Sequence, residues 1–207
     1  MGKDDQYARQ AEAWTERSYA DAAAYLSHRA DLVVALGRPL EPGDEVLDLA
    51  CGDAGLGELL LDRGFRYRGV DSTPEMVTEA QARLGARAPV ELGDLNDYVP
   101  PASVAATTVF RAIYYARDRL VFFRHVAAFT EKKLVFDLNP RQYRLEAVLD
   151  DLRAAGLRHV ALRPFFVPQT IALPRPLTAA SKALERSGPL ARLALRLRFT
   201  YLVAASP

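Results

Sequence analysis

Three aspartates in the first half of the chain stand at or near the ends of short apolar runs, and their spacing could hold a nucleoside-like ligand. Asp48 lies in the run VLDLACGDAGLG, Asp71 comes 23 residues later, and Asp94 follows in the run GDLND. An ionised carboxylate only accepts hydrogen bonds, so each suits a hydroxyl or amino donor. Asp71 could accept two bonds from ribose hydroxyls. Asp94 could accept one from an adenine amino group, with the Leu95 N–H donating to the ring.

The run VLDLACGDAGLG also contains Gly52, Gly55 and Gly57 in a predicted strand-to-helix turn. Glycines at such a turn allow unusual dihedral angles and let the backbone approach a ligand closely. Their spacing is not G-x-G-x-x-G, and the sequence contains no G-x-x-x-x-G-K-[ST], which excludes a P-loop. The turn predicts a cradle for a ligand, but by itself it fits nucleotides and dinucleotides as well.

Each aspartate also has a purely structural interpretation. Asp48 could bind loop amides, and Asp71 could cap the helix that follows it. Asp94 could be a turn residue beside Asn96 and Asp97. Because all three occur at spacings that suit one ligand, we favour ligand binding over three independent structural roles.

Short apolar strands alternate with helical segments along most of the chain. Predicted strands lie at about residues 46–50, 67–70, 89–92, 104–110, 133–138, 158–166 and 197–204. Predicted helices lie at about residues 5–18, 21–36, 56–63, 74–84, 118–129 and 142–155. This alternation is typical of βαβ units in a parallel sheet, whose strand ends form the ligand crevice. We predict an α/β fold with a Rossmann-like sheet of seven mostly parallel strands flanked by helices. The last strand is expected to be antiparallel, since no full crossover helix joins it to the sixth.

The length of 207 residues fits one domain. We predict a single domain over residues 1–207, with an N-terminal helical lid at about 1–37 and a substrate-side insert at about 167–195.

The single cysteine, Cys51, rules out an internal disulfide and fits a reducing cytoplasm. The N-terminus is acidic and has no apolar region, so we expect no signal peptide. No apolar stretch reaches eighteen residues, so we expect no membrane-spanning helix.

Positive charge is concentrated at the C-terminal end. Residues 156–207 carry eight Lys and Arg but one Glu, whereas residues 1–155 carry 19 Lys and Arg against 25 Asp and Glu. The proline-rich insert combines this charge with leucines. The insert could cover a hydrophobic substrate, lie on a membrane surface through about residues 167–198, pack on the sheet edge or form a dimer contact. A solvated surface explains the charge equally well. Among the roles for the insert we favour a pocket lid.

Taken together, these features resemble the class I S-adenosylmethionine-dependent methyltransferases over about residues 20–165. The run VLDLACGDAG is similar to that family's first motif, D-x-G-x-G-x-G. Asp71 matches the family's ribose-binding acid, and GDL of residues 93–95 matches its adenine-binding motif. The resemblance implies S-adenosylmethionine as the cofactor and S-adenosylhomocysteine as the product. It also implies a set of cofactor-binding residues, which are Asp48, Ala50, Cys51, Gly52, Asp71, Ser72, Met76, Asp94, Leu95, Phe110 and Arg111.

The first motif departs from the family pattern at two positions. Ala50 and Ala54 stand where the family usually has glycine. Alanine fits there only if those backbone dihedrals are not left-handed. We expect cofactor binding to survive, since a methyl group is small. A protein that binds the cofactor without transferring a methyl group, as a regulator or structural partner, stays an alternative.

Methyl transfer from a sulfonium is an in-line displacement that mainly needs alignment, so no catalytic triad is required. His28, Arg111 and Tyr114 are candidates for catalytic roles, although a lone histidine is more often structural. Candidate substrate-contacting residues are Trp14, Tyr19, Tyr115 and Asn139. Trp14 could also dock the first helix on the sheet, the tyrosines could be packing residues, and Asn139 could belong to a turn.

We therefore predict a methyltransferase (EC 2.1.1) that acts on an oxygen, nitrogen or carbon nucleophile of a small molecule. The alternatives are a lipid or prenyl-chain methyltransferase at a membrane surface and the non-catalytic binder. No nucleic acid partner is expected, because the Asn/Asp-Pro-Pro-aromatic motif of base methyltransferases is absent after the fourth strand. No His, Cys and Asp cluster has metal-ligand spacing, so no metal is expected. We expect a cytoplasmic monomer or homodimer.

Overall fold

The computed structural model describes residues 14–188, 191 and 200–207. In this part of the chain the strands are β1 (Glu45–Leu49), β2 (Arg66–Asp71), β3 (Val90–Leu92), β4 (Val104–Val109), β5 (Thr130–Leu138), β6 (His159–Pro164) and β7 (Tyr201–Ser206). The helices are α1 (Trp14–Ser18), α2 (Ala22–Ala35), α3 (Gly55–Asp62), α4 (Pro74–Leu84), α5 (Arg119–Ala127), α6 (Leu145–Ala154) and α7 (Arg175–Glu185). Short 3-10 segments at Gly85–Arg87 and Ile113–Tyr115 follow α4 and β4.

These strands form one sheet in the order β3-β2-β1-β4-β5-β7-β6. β1 pairs with β2 and β4, β2 with β3, and β4 with β5, all in parallel. β7 is antiparallel to both of its neighbours, β5 and β6. The predicted seven-stranded, mostly parallel sheet with an antiparallel last strand is confirmed. The chain order reverses between β1 and β4, where open α/β sheets form their ligand crevice.

Helices cover both faces of the sheet, which explains why the central strands are continuous apolar runs rather than alternating ones. All six residues of β4 and all six of β7 are buried. On one face the core includes Val33, Leu60 and Ala80 from α2, α3 and α4. On the other face it includes Phe123 and Leu152 from α5 and α6. This packing on both sides holds the strand ends, and the residues that follow them, in fixed positions.

The fifth strand begins at Thr130, three residues before the predicted start at Lys133, and Lys133 is a buried residue of this strand. The Lys133 ammonium donates to the carbonyl oxygens of Val34 at 3.0 Å and Leu36 at 2.8 Å. These carbonyls lie at the end of α2, where backbone acceptors have no partner within the helix. Burial lowers the pKa of Lys133 to about 7. The Lys133 side chain thus closes the end of α2, a role that the sequence did not indicate.

Helix α6 begins at Leu145, three residues after the predicted Gln142. The backbone N–H groups of Gln142 and Tyr143 donate to the Asn139 carbonyl oxygen at 3.0 and 3.2 Å. A turn therefore occupies the positions where the helix was predicted to start.

The N-terminal helix α2 is present as predicted, and its predicted cap, Asp21, accepts a hydrogen bond from the Ala24 N–H at 2.9 Å. Most of the predicted helix 5–18 and the predicted start of the last strand, 197–199, lie outside the described residues. Among the residues that are described, no helix is both long enough and apolar enough to cross a membrane.

Candidate functional site

A cavity of about 400 Å³ opens beside the carboxyl ends of β1, β2 and β4. This volume lies within the range of small-molecule sites, roughly 300–1,000 Å³. Most of the residues singled out in the sequence line it: Trp14, Tyr19, Asp48, Ala50, Cys51, Gly52, Asp71, Ser72, Met76, Asp94, Leu95, Phe110, Arg111, Tyr114 and Tyr115. His28 and Asn139 are not among the lining residues. The fold thus brings residues from four loops and the N-terminal helix to one place.

The turn between β1 and α3 contributes a strained stretch of backbone to this cavity. Ala50, Gly52 and Ala54 are all left-handed, with φ of 63°, 59° and 58°. The expectation that alanine fits here because these dihedrals are not left-handed is therefore wrong. A left-handed conformation costs an L-residue about 1–2 kcal/mol relative to the ordinary helical region. The turn keeps the backbone path that glycines would favour and retains local strain, as functional sites often do.

Asp71 links the end of β2 to this turn. Its carboxylate accepts the Gly52 N–H on Oδ2 at 2.9 Å and the Thr73 N–H on Oδ1 at 2.9 Å. Burial raises the pKa of Asp71, while these backbone donors act in the opposite direction. The bond to Thr73 matches the helix-cap interpretation, because Thr73 is the N-cap of α4. The bond to Gly52 goes beyond helix capping, because it joins two neighbouring loops of the cavity wall.

Asp48 lies deeper, inside the sheet, and is almost fully buried. It accepts hydrogen bonds from the hydroxyls of Thr108, at 2.6 Å, and Tyr67, at 2.9 Å. Its partners are therefore side chains of β4 and β2 rather than the loop amides considered in the sequence. Burial raises the pKa of Asp48 to about 6, although both hydroxyls favour the charged form. Asp48 braces the three strands whose ends surround the cavity.

Asp94 stands at the cavity rim and is part of a surface network. Its Oδ1 accepts from the backbone and side-chain nitrogens of Asn96 at 2.8 and 2.7 Å, and its Oδ2 accepts from Arg117 at 2.7 Å. Partial burial alone would raise the pKa of Asp94, but these donors outweigh it and lower the pKa. Asp94 is thus an ionised acceptor whose Oδ2 has room for one more donor.

A buried arginine that the sequence reasoning missed, Arg29 of α2, also lines the cavity. Its Nη2 donates to the Tyr25 hydroxyl at 2.9 Å and lies 3.5 Å from Asp137 Oδ2, and its guanidinium is 4.3 Å from the centre of the Phe110 ring. Burial would lower the pKa of Arg29, but Tyr25 and Asp137 raise it overall, so the side chain stays charged. In the sequence, the one feature that could have indicated a buried role for Arg29 is its position on the apolar face of a predicted helix, four residues after Tyr25.

Arg111 follows β4 and has a left-handed backbone, with φ of 54°. Its N–H donates to Asp137 Oδ1 at 2.7 Å. Its guanidinium lies 5.5 Å from the centre of the Trp14 ring and 6.0 Å from that of Tyr19. Asp137 therefore holds both the backbone of Arg111 and the side chain of Arg29, a role that the sequence reasoning did not assign to it.

Helix α1 covers part of the cavity and is attached to the β1–α3 turn. The Thr15 N–H and hydroxyl donate to the carboxylate of Asp53 at 2.9 and 2.5 Å. Arg83 of α4 donates to the same carboxylate at 2.8 Å. A side chain at Gly52 would come within 3.4 Å of the Trp14 ring, so the helix lies directly on the turn. Sequence reasoning did not assign roles to Thr15 or Asp53, because their link spans 38 residues.

His28 lies away from the cavity and has a structural environment. Its Nε2 is 2.6 Å from Glu185 Oε2, with both side chains almost fully buried. Its ring stacks on Phe165, and Glu185 Oε1 accepts the Phe166 N–H at 2.7 Å. The pair therefore fastens the end of α7 to α2.

The remaining candidates occupy different parts of the site. Tyr114 and Tyr115 contact each other at the rim, with ring centres 4.3 Å apart. Asn139 forms a turn, where its side-chain oxygen accepts the Arg141 N–H at 3.0 Å. Burial raises the pKa of the Cys51 thiol well above its usual range, and the thiol packs beside Gly69. Cys51 is thus a protonated packing residue of the turn.

Comparisons with known proteins agree with this architecture. A family model described as a methyltransferase domain matches residues 46–133, which span β1 to β5. No curated protein sequence matches the chain. The resemblance to class I S-adenosylmethionine-dependent methyltransferases is confirmed at the level of domain and fold.

Solved structures match nearly the whole chain at low identity. A chain from a Haloferax volcanii complex containing the Trm112 methyltransferase activator has a TM-score of 0.69 and 21% identity, with 97% of both chains covered. Magnesium protoporphyrin IX methyltransferase from Synechocystis, with bound S-adenosylmethionine, has a TM-score of 0.62 and 14% identity, over 100% of this chain and 92% of that one. Phosphoethanolamine N-methyltransferase 2 of Haemonchus contortus, with S-adenosylmethionine, has a TM-score of 0.62 and 16% identity, over 87% of this chain and 51% of that one. Because these structures share only 14–21% sequence identity with the chain, the similarity establishes a common fold and nothing about substrates.

Proposed function

We propose that this protein, whose residues 46–133 match a methyltransferase domain, binds S-adenosylmethionine in the cavity and transfers its methyl group to an oxygen, nitrogen or carbon nucleophile of a small molecule. The observation that carries the proposal is the hydrogen bond from the Gly52 N–H to Asp71. It joins the two sequence motifs that the resemblance assigns to this cofactor into one continuous wall of the cavity.

The residues of the cavity suit each part of the cofactor. After its bonds to Gly52 and Thr73, each oxygen of Asp71 keeps a lone pair for a ribose hydroxyl. Met76 and Leu95 are buried apolar side chains that line the cavity and suit the flat face of adenine. Asp94 keeps acceptor capacity on Oδ2 for an amino group.

The chain's contribution to the reaction is alignment and exclusion of water. S-adenosylmethionine supplies an activated methyl group, which joins the nucleophile as the methyl–sulfur bond breaks and that electron pair stays on sulfur. Trp14 and Tyr19 cover the cavity from the N-terminal side. We do not propose His28 as a base, because its Nε2 is bonded to Glu185 outside the cavity. Tyr114 and Arg111 line the cavity and are proposed to contact the acceptor.

The proposal is tested by calorimetric titration with S-adenosylhomocysteine. The unmodified protein should bind it, and Asp71→Ala should bind at least about tenfold more weakly, equivalent to ~1.4 kcal/mol. Asp71→Asn keeps one acceptor and should give an intermediate affinity, with a lower melting temperature because its NH2 group would face one of the two backbone N–H donors. Asp150→Ala removes an exposed carboxylate that pairs with Arg153 and should bind normally. No binding by the unmodified protein would overturn the proposal, and normal binding by Asp71→Ala would overturn the ribose assignment.

A second candidate, methylation of a lipid at a membrane surface, is favoured by the surface of α7. Leu177 and Leu184 of this helix are exposed, as is Ile171 just before it. The basic residues Arg175 and Lys182 lie on the same short helix, and such a combination suits an anionic lipid surface. Flotation with vesicles containing phosphatidylserine tests this candidate. Binding that high salt reverses would support it, and no binding at low salt would contradict it.

A further inference from the structure

We propose that the methyl acceptor carries an anionic group, a carboxylate or a phosphate, and that the guanidinium of Arg111 binds it. This inference rests on the proposed function, because it concerns the substrate class of the same cavity. The evidence lies in the surroundings of Arg111, which differ from those of the other cavity-lining arginines.

Arg111 has a charged side chain without a charged partner. Among the described residues, no carboxylate lies within ion-pair distance of its guanidinium, whose neighbours are the rings of Trp14 and Tyr19. Its Nη1 is buried and has no hydrogen-bond partner in the part of the chain that the structure describes. A buried donor of a charged group without a partner costs on the order of 1–3 kcal/mol or more. A bound anion would remove this cost.

The other arginines of the cavity wall are already paired. Arg117 contacts Asp94 at 2.7 Å and Asp97 at 2.9 Å. Arg29 lies 3.5 Å from Asp137 and donates to Tyr25 at 2.9 Å. Arg111 is therefore the cavity-lining guanidinium for which the described residues supply no counter-charge.

The local backbone holds Arg111 in this position at a cost. Its left-handed φ of 54° is unusual for an arginine and costs about 1–2 kcal/mol. The N–H of Arg111 donates to Asp137 at 2.7 Å, which fixes the end of β4. Asp137 thus holds the backbone while the guanidinium lies near the rings of Trp14 and Tyr19. Strain that persists in this way is typical of functional positions.

The position also suits a substrate group. Arg111 follows β4, beside the point where the sheet order reverses, and the aromatic rings around it would favour a planar molecule. Guanidinium groups bind carboxylates and phosphates through two parallel hydrogen bonds. A different reading is that Arg111 binds the carboxylate of the cofactor's methionine part, and the experiment separates the two.

Trp14 is the only tryptophan of the chain, so its fluorescence reports on this site. The protein is first saturated with S-adenosylhomocysteine and then titrated with benzoate, with phenyl phosphate and with neutral benzamide. We expect at least one anion to change Trp14 emission in a saturable way and to bind about tenfold more tightly than benzamide, which is a typical gain for a charge-assisted pair. The anion that binds more tightly distinguishes carboxylate from phosphate.

Arg111→Gln should remove the preference for the anion and leave S-adenosylhomocysteine affinity within about twofold of the original. Arg117→Gln removes a paired arginine from the same wall and should keep the preference. Equal binding of benzamide and both anions, or a failure of all three to bind, would overturn the inference while leaving cofactor binding intact. A tenfold loss of S-adenosylhomocysteine affinity in Arg111→Gln would instead assign Arg111 to the cofactor. Failure of the unmodified protein to bind S-adenosylhomocysteine would count against the proposed function itself.

Discussion

Thr15 and Asp53 form the contact through which helix α1 is held over the cavity. Both the N–H and the hydroxyl of Thr15 donate to the Asp53 carboxylate, at 2.9 and 2.5 Å, and both residues are buried. Asp53 belongs to the β1–α3 turn, so the helix and the proposed cofactor cradle are joined directly. One buried carboxylate therefore attaches the start of α1 to this turn, while Gln169 donates to the Ser18 carbonyl at the other end of the helix at 3.1 Å.

Replacing Asp53 with alanine should release α1. Two hydrogen bonds to a charged group would be lost, which is worth roughly 1.5–3 kcal/mol each when a partner is left unpaired. We expect Trp14 to become more accessible to acrylamide, and its emission to shift to the red. Asp62→Ala, which removes an exposed carboxylate near the end of α3, is the matched control and should leave Trp14 protected. Unchanged quenching in Asp53→Ala would show that other contacts hold the helix.

Glycine at the strained alanines should stabilise the protein. Ala50→Gly and Ala54→Gly each remove about 1–2 kcal/mol of left-handed strain, and glycine's greater freedom in the unfolded chain offsets about 0.5–1 kcal/mol of this. We expect a net gain of about 0.5–1 kcal/mol for each in urea denaturation. Ala82→Gly, at an exposed position of α4 with ordinary helical backbone, should instead lose up to about 1 kcal/mol. A loss at positions 50 and 54 similar to that at 82 would contradict the left-handed turn.

Lys133 should make stability depend on pH above neutrality. Burial lowers its pKa from 10.5 to about 7 in the folded protein. Between these two values the unfolded chain binds more protons than the folded one, so stability from this group rises with pH across that window. At lower pH the lysine is charged in both states and the cost of burying the charge is present in full. Denaturation between pH 6 and pH 10 measures the rise.

Lys133→Met should flatten this rise, although it should also lower stability overall, because the Leu36 carbonyl loses the ammonium donor and the Val34 carbonyl keeps only its bond from the Leu40 N–H. Lys132→Met, which removes the neighbouring lysine and its contact with Asp44, should retain the rise. Equal pH dependence in both variants would rule out Lys133 as its source.

The pair of His28 and Glu185 should control the attachment of α7 to α2. Glu185→Ala removes the buried carboxylate that contacts His28 and accepts the Phe166 N–H, and losing such a buried hydrogen-bond partner costs about 1–3 kcal/mol for each bond. We expect faster hydrogen exchange in α7 and a lower melting temperature. Glu146→Ala removes a largely exposed carboxylate and should change neither. If α7 exchanged at the original rate in Glu185→Ala, its attachment would have to come from other contacts.

Local patterns were sufficient for the sheet and for several site residues. The apolar runs predicted the central strands because helices cover both faces of the sheet there and these strands are buried along most of their length. Asp21 was predictable as a cap because capping depends on residues three positions apart. The placement of Asp48, Asp71 and Asp94 beside one cavity followed from parallel strands, whose carboxyl ends lie at one edge of the sheet.

Buried charges were not predictable in the same way. Arg29 and Lys133 look like ordinary surface residues in the sequence, and their partners lie far along the chain. Whether such a side chain is solvated or buried depends on what packs against it, which no local pattern contains. His28 illustrates the converse, because a histidine near the expected lid is held by Glu185, which lies 157 residues later.

The amino-acid sequence by itself determined the class of fold and the spacing of the acids along it, because strand periodicity, helix caps and turn glycines act over a few residues. Tertiary structure alone decided that Ala50 and Ala54 adopt left-handed backbone, that Asp53 holds α1 over the cavity, and that no described carboxylate pairs with the Arg111 guanidinium. Each of these features depends on distances between segments that are remote in the chain. Such distances exist only once the sheet has formed and the helices have packed against it.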